Sequence, residues 1–329
     1  TALNCASLSL GYAFAMECGA GFHPREDSLP CDLYFSDLDG DWDGNGNGVF
    51  GEIGDDVDLY PDVWVGRVSV NGPEEAEAWY EKLKAYEDCA DPGYMTEVLF
   101  LAEVLWTSPF TDGGVSKNMI QAVCLPGFMN VTKLYQTLGN LNGGNVMAAL
   151  NAGTNMVNHN GHAWWNGMCI GGGSIDAAFL NSVNSQGRYS AFFYSIGCWS
   201  AAFDFDAVAE HFLTSPQGCG VAFIGNSSYG WGSPGNPAYG YSDILDRLFF
   251  LRLYQNRNTR IGQVLAESKD FYIPYGRWEN VYRWHLYQVN LLGDPSFRPY
   301  RKQPLTPVLE YPAFVTPDTR VFPVRVSGC

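Results

Sequence analysis

Two short phrases of the chain each place a reactive side chain directly after an apolar, strand-like run. The phrase NHNGH at residues 158–162 ends in an imidazole, and the phrase SIGC at residues 195–198 ends in a thiol. Because the carboxyl ends of parallel strands meet at one edge of a sheet, we expect His162 and Cys198 to face each other across a crevice. An imidazole beside a thiol provides a nucleophile and its proton partner. The pair therefore predicts a thiol enzyme, with backbone N–H groups at Gly161 and Cys198 positioned for a developing oxyanion.

Either side chain alone is more often structural than catalytic, so this prediction depends on the pair and on its matching positions at two strand ends. His159 is the competing imidazole, since it lies on the same strand. The turn begins just after it, at residues 160–161. We therefore expect His159 to be buried in the strand and His162 to emerge into solvent.

From about residue 97 onward, short apolar runs alternate with helix-like patterns. This alternation is typical of an α/β fold, in which helices cover both faces of a mainly parallel sheet. The predicted strands are Val98–Glu103, Val131–Tyr135, Thr154–Asn158, Ala191–Ile196 and Val221–Ile224. The predicted helices cover residues 114–124, 143–151, 174–182, 204–213, 240–255, 260–270 and 279–290.

The chain divides into three predicted regions. Residues 1–96 form a partial N-terminal subdomain, with strands at Asp32–Ser36 and Val63–Val70 in a smaller sheet layer and a helix that begins at Pro73. Residues 97–300 form the catalytic subdomain. Residues 301–329, which contain the alternating phrase VFPVRV, add one or two β-strands outside the α/β unit.

Composition and charge exclude two classes of partner. The 329 residues include 19 basic and 35 acidic side chains, and the resulting net charge of −16 would repel nucleic acids and anionic membranes. The sequence contains no apolar run of the roughly 20 residues that a membrane-spanning helix needs. Nine cysteines without a CxxC pair favour disulfides, at least one free thiol and a secreted protein. Cys5, Cys18 and Cys31 are the disulfide candidates, whereas Cys124 and Cys219 are expected in the core.

The segment from Asp41 to Glu52 has the spacing of a twelve-residue calcium loop. Such a loop has oxygen ligands at alternate positions, a glycine at position 6 and a carboxylate at position 12. No helix-like pattern flanks the segment, so we expect a calcium loop outside an EF-hand. The alternative is a solvated acidic turn, although crowded carboxylates without a cation would repel each other. The predicted ligands are Asp41, Asp43, Asn45, Asn47 and Glu52, and the alternatives in another register are Asp37, Asp39, Asp55, Asp56 and Asp58.

Together these phrases resemble a known family. The order of strand, Gly-His, Gly-rich bend, strand and Gly-Cys is similar to that of caspase-like cysteine peptidases. The phrases VNHNGH, SIGCWSAAFD, GVAFIGNSS, YGWGSP, PDVWVGRVSV and NLLGDPSF look like the gingipain family, and like its environmental prokaryotic members more than its oral bacterial ones. The resemblance implies a caspase-hemoglobinase-like αβα sandwich of two side-by-side subdomains. It also implies endopeptidase activity on proteins or peptides, with calcium as a stabilising ion and no organic cofactor.

The resemblance also implies roles for individual residues. His162 matches the catalytic histidine and Cys198 the nucleophile, while Glu103 matches the acidic residue that orients the histidine in arginine-specific members. Asp112 matches the carboxylate at the base of the arginine pocket, and Trp231 matches the tryptophan that covers it. A carboxylate binds guanidinium through two hydrogen bonds and an indole adds cation–π attraction, so arginine specificity is expected. Taken singly, the last three residues are also compatible with a surface carboxylate, a turn aspartate and a loop-anchoring ring.

One departure from the family's pattern and two alternatives stay open. The βα units that open the family's first subdomain are missing, so we expect Thr1 to arise by maturation of a zymogen. The cleaved N-terminal fragment would then be either bound as a separate chain or removed.

One alternative function is a catalytically silent calcium-binding module for adhesion or partner binding, against which the intact pair of His162 and Cys198 argues. The other is the same peptidase with lysine or acidic-residue specificity.

Overall fold

Helices surround a central sheet in the computed structural model of the protein, which describes residues 12–14, 28–255, 259–304 and 308–327. The helices are α1 (Leu33–Ser36), α2 (Pro73–Asp88), α3 (Gly113–Val123), α4 (Gly143–Ala152), α5 (Ala177–Asn181), α6 (Val208–Thr214), α7 (Tyr241–Gln255), α8 (Ile261–Lys269) and α9 (Val281–Gln288). The strands are β1 (Tyr12–Phe14), β2 (Ser28–Pro30), β3 (Glu97–Ala102), β4 (Val104–Thr107), β5 (Phe110–Asp112), β6 (Asn130–Tyr135), β7 (Met156–Asn160), β8 (Ala163–Trp164), β9 (Gly167–Ile170), β10 (Gly173–Asp176), β11 (Phe192–Ser195), β12 (Phe223–Asn226), β13 (Val289–Leu292), β14 (Val308–Glu310) and β15 (Arg325–Ser327).

Six strands form the central sheet in the order β6-β3-β7-β11-β12-β13. All neighbouring pairs are parallel except β12 with β13, which are antiparallel. The five strands predicted from the apolar runs are all present, with ends shifted by no more than two residues. The prediction of an α/β fold with a mainly parallel sheet is therefore confirmed.

The register of the three middle strands aligns their carboxyl ends. Ala102 of β3 lies beside Asn160 of β7, and His159 of β7 lies beside Ser195 of β11. The chain leaves all three strands at the same edge of the sheet, and after β3 only Glu103 separates it from β4. The residues that follow these strands in the sequence are consequently delivered to one crevice.

Alternating side chains of the sheet fill two separate cores. On β3, Phe100 points into the core formed with α3, α7, α8 and α9, whereas Leu99 and Leu101 point into the core formed with α4, α5 and α6. On β11, Phe192 belongs to the first core and Phe193 to the second. Because apolar helices cover both faces, five of the six strands are buried along almost their whole length, as is typical of parallel sheets, whereas the edge strand β6 is partly exposed.

Two local predictions before residue 97 are wrong because tertiary contacts decide the backbone there. Residues 32–36, predicted as a strand, form the short helix α1, which buries Leu33. Residues 63–70 are all described and contain no strand. They meet the central sheet through a parallel bridge between Arg67 and Leu292 of β13. The predicted strand at 63–70 is thus reduced to a single contact at the sheet edge.

The predicted helix at residues 174–182 divides into a strand and a shorter helix. β10 pairs antiparallel with β9, so the first part of this segment is extended. Helix α5 begins only after Asp176, whose side chain caps it by accepting the amide hydrogen of Phe179 at 2.8 Å. The cap and the strand pairing together set the boundary.

Asn290 of β13 attaches the segment around β2 to the central sheet. Its Oδ1 accepts the backbone N–H of Asp32 at 3.0 Å, and its Nδ2 donates to the backbone oxygen of Pro30 at 3.1 Å. The hydroxyl of Ser227 donates to the same Pro30 oxygen at 2.6 Å. Asp32 also forms an ion pair with Arg67. These buried polar contacts fix residues 30–32 against the edge of the sheet.

At the other end of the chain, β14 and β15 pair antiparallel with each other, so two strands are present in the region where one or two were predicted. Side chains of residues 308–326 are exposed. None of the helices in the described ranges is both long and apolar enough to cross a membrane.

The cysteines within the described ranges are free thiols. Cys31, Cys124 and Cys219 are buried, and burial raises the pKa of each thiol to about 12. Cys124 and Cys219 therefore behave as the expected core thiols. Cys31 forms no disulfide, whereas the other disulfide candidates, Cys5 and Cys18, lie outside the described residues.

Replacing Asn290 with alanine tests this attachment. The Asn290→Ala variant leaves the N–H of Asp32 without its acceptor and removes one donor from Pro30, so we expect the free energy of unfolding to fall by about 2 kcal/mol. Urea denaturation of the variant and of the wild type measures this change. The exposed amide of Gln217 provides the control, since Gln217→Ala should change stability by less than about 0.5 kcal/mol. Equal stabilities of the Asn290 variant and this control would contradict the role of Asn290.

Candidate active site

His162 lies just beyond β7, and its side chain is exposed. Its Nε2 is 2.8 Å from the backbone oxygen of Leu105, and a carbonyl oxygen can only accept a hydrogen bond. In the neutral ring Nε2 therefore carries the proton, and Nδ1 has the lone pair that can accept another. The indole of Trp106 meets the ring edge to face, with centroids 6.1 Å apart. The imidazole is thus held in one tautomer and one plane.

Glu103 holds the backbone of the histidine loop rather than the imidazole. Its Oε2 accepts the backbone N–H of His162 at 2.8 Å, and its Oε1 accepts the backbone N–H of Gly171 at 2.9 Å. The carboxylate is buried, and these two donors offset part of its desolvation. The contact between Glu103 and the histidine is present, but it is made to the amide. The ring itself is oriented by the carbonyl of Leu105.

Cys198 follows β11 at the start of a loop, and its side chain is partly buried. Its Sγ lies 3.8 Å from the backbone oxygen of Gly230. Burial raises the pKa of the thiol above its ordinary value, because a thiolate at this position loses hydration. The resting side chain is therefore a neutral thiol near pH 7, which needs a base to become a nucleophile.

Gly197 allows the loops that carry the thiol and the imidazole to touch. A Cβ at this position would lie 2.6 Å from the Cβ of Ala163 and 2.9 Å from the backbone oxygen of Gly161, so a side chain would force the loops apart. Trp199, on the other side of the cysteine, has a φ of 58°, which is unusual for a residue other than glycine. Cys198 thus lies between Gly197, which the contact of the two loops requires, and Trp199, whose backbone is left-handed.

His162 and Cys198 line one solvent-open cavity of about 80 Å³. Its walls are β4, the residues at the ends of β7 and β11 and just after them, the loop after β12 and the start of α7. Gly161 also lines it, and within the described part of the chain neither the amide of Gly161 nor that of Cys198 donates to the backbone oxygen of another residue. The structure therefore brings together the predicted base, the predicted nucleophile and both predicted oxyanion donors.

A buried carboxylate that the sequence analysis did not identify also lines this cavity. Asp243, in the first turn of α7, is only 2% exposed. Its Oδ1 accepts a hydrogen bond from Nδ2 of Asn160 at 2.9 Å, and its Oδ2 accepts the backbone N–H of Gly240 at 3.2 Å. Burial raises the pKa of this carboxyl above its ordinary value. A carboxylate in such a cavity is complementary to a cationic side chain.

A signal for Asp243 does exist in the sequence. The helical phrase SDILDRLFF at residues 242–250 contains two aspartates three positions apart among apolar residues. Side chains at this spacing lie on the same face of a helix, so both carboxylates had to face the apolar interior together. Buried acidic residues of this kind need polar partners or a functional reason.

Asp112 and Trp231 do not line the cavity. Asp112 ends β5 and caps α3: its Oδ1 accepts the backbone N–H of Gly114 at 2.8 Å, and its Oδ2 accepts the hydroxyl of Thr137 at 3.2 Å. Trp231 is half-buried and packs edge to face on Trp284, with ring centroids 5.8 Å apart. Among the described residues, the carboxylate that lines the cavity with the thiol is that of another aspartate. The pocket roles of Asp112 and Trp231 stay predictions.

His159 is a structural residue, as its place in the strand indicates. It is completely buried, its Nε2 lies 2.9 Å from the backbone oxygen of Cys169, and its Nδ1 lies 3.0 Å from the hydroxyl of Ser195. The carbonyl fixes the proton on Nε2, so Nδ1 accepts from the hydroxyl. Burial lowers the pKa of this imidazole to about 4, and the ring is neutral at physiological pH.

The segment from Asp41 to Glu52 forms an exposed turn in which three of the five predicted ligands converge. The side-chain amides of Asn45 and Asn47 both donate to Oε1 of Glu52. Gly46, at position 6, has a φ of 72°, the left-handed conformation that the calcium-loop pattern requires of its glycine. These residue types fit a hard cation such as calcium, but the two amides face Glu52 through Nδ2 here, while each Oδ1 accepts a backbone N–H.

A second group of carboxylates lies next to this turn. Ligand oxygens of Asp37, Asp39 and Asp62 are all within 4.8 Å of one another. Asp37 is buried and accepts the indole N–H of Trp42 at 2.9 Å, whereas the other two are exposed. Asp37 and Asp39 are the residues that the sequence offered as ligands in another register.

The mainly parallel sheet, covered by helices on both faces, places the protein in the class of caspase-like αβα sandwiches. The profile of Peptidase family C25 matches residues 12–300. The chain therefore belongs to this family, the gingipain family of cysteine peptidases.

Known relatives agree with this assignment. Lys-gingipain W83 of Porphyromonas gingivalis is 22% identical over an alignment of 330 residues, which covers 90% of this chain but only 17% of that protein. The crystal structure of the Arg specific cysteine proteinase gingipain R matches with a TM-score of 0.68 at 17% identity, over 93% of this chain and 67% of the other. The complex of Porphyromonas gingivalis RgpB pro- and mature domains matches with a TM-score of 0.68 at 16% identity, over 93% of this chain and 69% of the other. At these identities the likeness to solved structures establishes the fold.

The protonation of the cysteine gives a direct test of the site. We expect alkylation of Cys198 by iodoacetamide to rise with pH later than that of free cysteine, because burial disfavours the thiolate. His162→Ala should slow alkylation at pH 7 by about tenfold or more, since Nδ1 no longer accepts the thiol proton. Peptide-level mass spectrometry measures both rates. His211→Ala, which changes a histidine paired with Asp206, is the matched control, and an equal rate in the two histidine variants would contradict the pairing.

Proposed function

We propose that the protein is a secreted, calcium-stabilised cysteine endopeptidase that cleaves peptide bonds after a basic residue. The observation that carries the proposal is a single cavity lined by the Cys198 thiol, the His162 imidazole and the buried carboxylate of Asp243. The thiol and the imidazole can carry out acyl transfer, and the carboxylate can bind a cationic side chain. Membership of Peptidase family C25 supports the reaction type.

The proposed reaction begins when Nδ1 of His162 takes the thiol proton of Cys198 and Sγ attacks the scissile carbonyl carbon. The carbonyl oxygen becomes an oxyanion, which the amides of Gly161 and Cys198 stabilise by donating hydrogen bonds. The imidazolium returns its proton to the leaving amine as the C–N bond breaks, which leaves a thioester on the cysteine. Water, deprotonated by the same imidazole, then hydrolyses the thioester, and the thiol is regenerated.

Preference for a basic residue follows from the charge of the cavity. Each oxygen of Asp243 already accepts one hydrogen bond and keeps a lone pair for a substrate donor. An ammonium or a guanidinium would compensate the buried negative charge. The resemblance to the gingipain family favours arginine, and lysine is the alternative, since this carboxylate is compatible with both cations.

Asp243 should therefore control the choice of substrate. The Asp243→Asn variant keeps the shape of the side chain but loses its charge, so we expect kcat/KM for substrates ending in Arg or Lys to fall by about 100-fold or more. Fluorogenic peptides ending in Arg, Lys, Asp or Asn measure this, with Cys198→Ala as the inactive control. The matched control for Asp243 is Asp112→Asn, because Asp112 is the carboxylate that the family resemblance favours. A larger effect at Asp112 than at Asp243 would assign the pocket to Asp112.

The same substrates distinguish the peptidase from a silent binding module. Cleavage of none of them, together with no labelling of Cys198 by an acyloxymethyl ketone, would favour a calcium-binding module for adhesion or partner binding. Cleavage after Lys but not Arg would replace the arginine preference with the lysine alternative. The proposed natural substrates are proteins or peptides, and the N-terminal fragment of a zymogen is a proposed partner.

Calcium binding is proposed at the exposed turn, where Asp41, Asp43, Asn45, Asn47 and Glu52 would hold the ion through oxygen atoms. A bound cation would neutralise the crowded carboxylates and hold the turn closed. Chelation with EDTA should then lower the melting temperature of the wild type by at least about 3 °C, because the ion binds the folded state.

Two variants locate the ion. Glu52→Gln removes the carboxylate at position 12, so we expect the melting temperature of this variant to respond little to EDTA. Asp39→Asn changes the neighbouring carboxylate group and should keep the full response. The reverse result would place calcium at Asp37, Asp39 and Asp62, and a wild type indifferent to EDTA would reject both sites.

A further inference from the structure

Two pairs of polar side chains connect β7 to α7 next to the cavity. Nδ2 of Asn160 donates to Oδ1 of Asp243 at 2.9 Å, and Nδ2 of Asn158 donates to Oδ1 of Asp246 at 2.6 Å. Side chains two residues apart lie on the same face of a strand, and side chains three residues apart lie on the same face of a helix. The two asparagines of β7 can therefore each face one aspartate of α7. We call these four side chains the Asn–Asp ladder. All four are at most 2% exposed, and the ladder is therefore shielded from bulk water.

Lys117 of α3 binds one end of this ladder. Its Nζ lies 2.6 Å from Oδ2 of Asp246, and both side chains are completely buried. Asp246 thus has an ammonium on one oxygen and an amide on the other. Asp243, in contrast, accepts hydrogen bonds from neutral groups, the amide of Asn160 and the backbone N–H of Gly240. The carboxylate that lines the cavity is the one that the ammonium does not contact.

Two carboxylates on one face of a helix and away from water resist being ionised together, because each raises the pKa of the other. Burial raises the pKa of both Asp243 and Asp246, and the charge of Lys117 lowers both. Without this ammonium, burial and mutual repulsion would disfavour ionisation of the pair. With it, Asp246 is compensated within the protein, and the same charge also favours the ionised form of Asp243.

We propose that Lys117 is a specificity-determining positioning residue, which pairs with Asp246 and so keeps Asp243 as an anion at the cavity for the basic side chain of the substrate. This inference rests on the proposed function, since it requires Asp243 to bind that side chain. Lys117 does not touch the substrate and acts through the charge of the ladder.

Other titratable groups around Asp243 do not take over this role. His285 is buried and neutral, because desolvation lowers its pKa to about 4. Burial raises the pKa of Tyr272, so its phenol is neutral as well. Arg247 binds the backbone oxygen of Ala238 at 2.9 Å, and its charge lowers the pKa of Asp246 less than that of Lys117 does. The imidazole and thiol of the active site face the cavity from the loops after β7 and β11.

The pH dependence of KM for a peptide ending in a basic residue tests the proposal. KM rises on acidification as Asp243 takes up a proton, so the midpoint of this rise reports the pKa of Asp243. Lys117→Met removes the ammonium and should move the midpoint up by about one pH unit or more. Asp246→Asn removes the competing carboxylate and leaves the ammonium near Asp243, so the midpoint should move down. A packing defect would not shift the two variants in opposite directions.

Matched variants distinguish the effect of the Lys117 charge from the effect of its packing in the core. Lys117→Arg keeps the charge and should keep the midpoint of the wild type. Lys82→Met removes another buried lysine, whose Nζ donates to the backbone oxygens of Leu213 and Ser215. This variant should lose stability without any shift of the midpoint. If Lys117→Met does not fold, the double variant Lys117→Met/Asp246→Asn is compared with Asp246→Asn, and its midpoint should lie higher.

Two results would overturn the inference, and they can be told apart. If Asp243→Asn strongly raises KM while the midpoints of the Lys117 and Asp246 variants stay in place or move in the same direction, the role of Lys117 is wrong and the proposed pocket stands. If Asp243→Asn leaves KM for basic substrates unchanged, the proposed pocket is wrong and the role of Lys117 falls with it.

Discussion

The in-register parallel pairing of β3, β7 and β11 is the constraint on which the site depends. Each strand carries its own apolar residues into both cores, so a shift of any one strand by a single residue would exchange its buried faces. The register that satisfies both cores also ends the three strands at one edge. The register alone therefore brings the segments that follow these strands close together, and Gly197 lets two of them come into contact.

Desolvation acts on the polar groups at this edge in a consistent way. It raises the pKa of the Cys198 thiol and of the Asp243 carboxyl, and it lowers the pKa of the imidazole of His159. All three shifts favour the neutral form. An ion pair offsets this effect where the fold provides one, as between Lys117 and Asp246, and we propose that the same ammonium also stabilises the anionic form of Asp243. The site thus combines a neutral resting thiol with a separately stabilised pair of buried side chains.

The sequence predicted those parts of the molecule in which local pattern and tertiary environment agree. The five apolar runs became strands, and the Gly-His and Gly-Cys phrases reached the same cavity because both follow strands of one parallel sheet. Asp243 could not be assigned in this way, because its position depends on how α7 packs against β7. The segments 32–36 and 63–70 were misassigned for a related reason: contacts with distant residues such as Asn290 and Leu292 decide their backbone.

The carbonyl of Leu105 has a consequence for how the sequence of this protein can vary. A histidine oriented by a carboxylate side chain loses its orientation when one codon changes. Here the acceptor is a peptide oxygen, which every amino acid at position 105 would supply, so the tautomer of His162 is insensitive to the identity of its partner residue. A substitution at position 105 would therefore change the lining of the cavity without changing which nitrogen of His162 carries the proton.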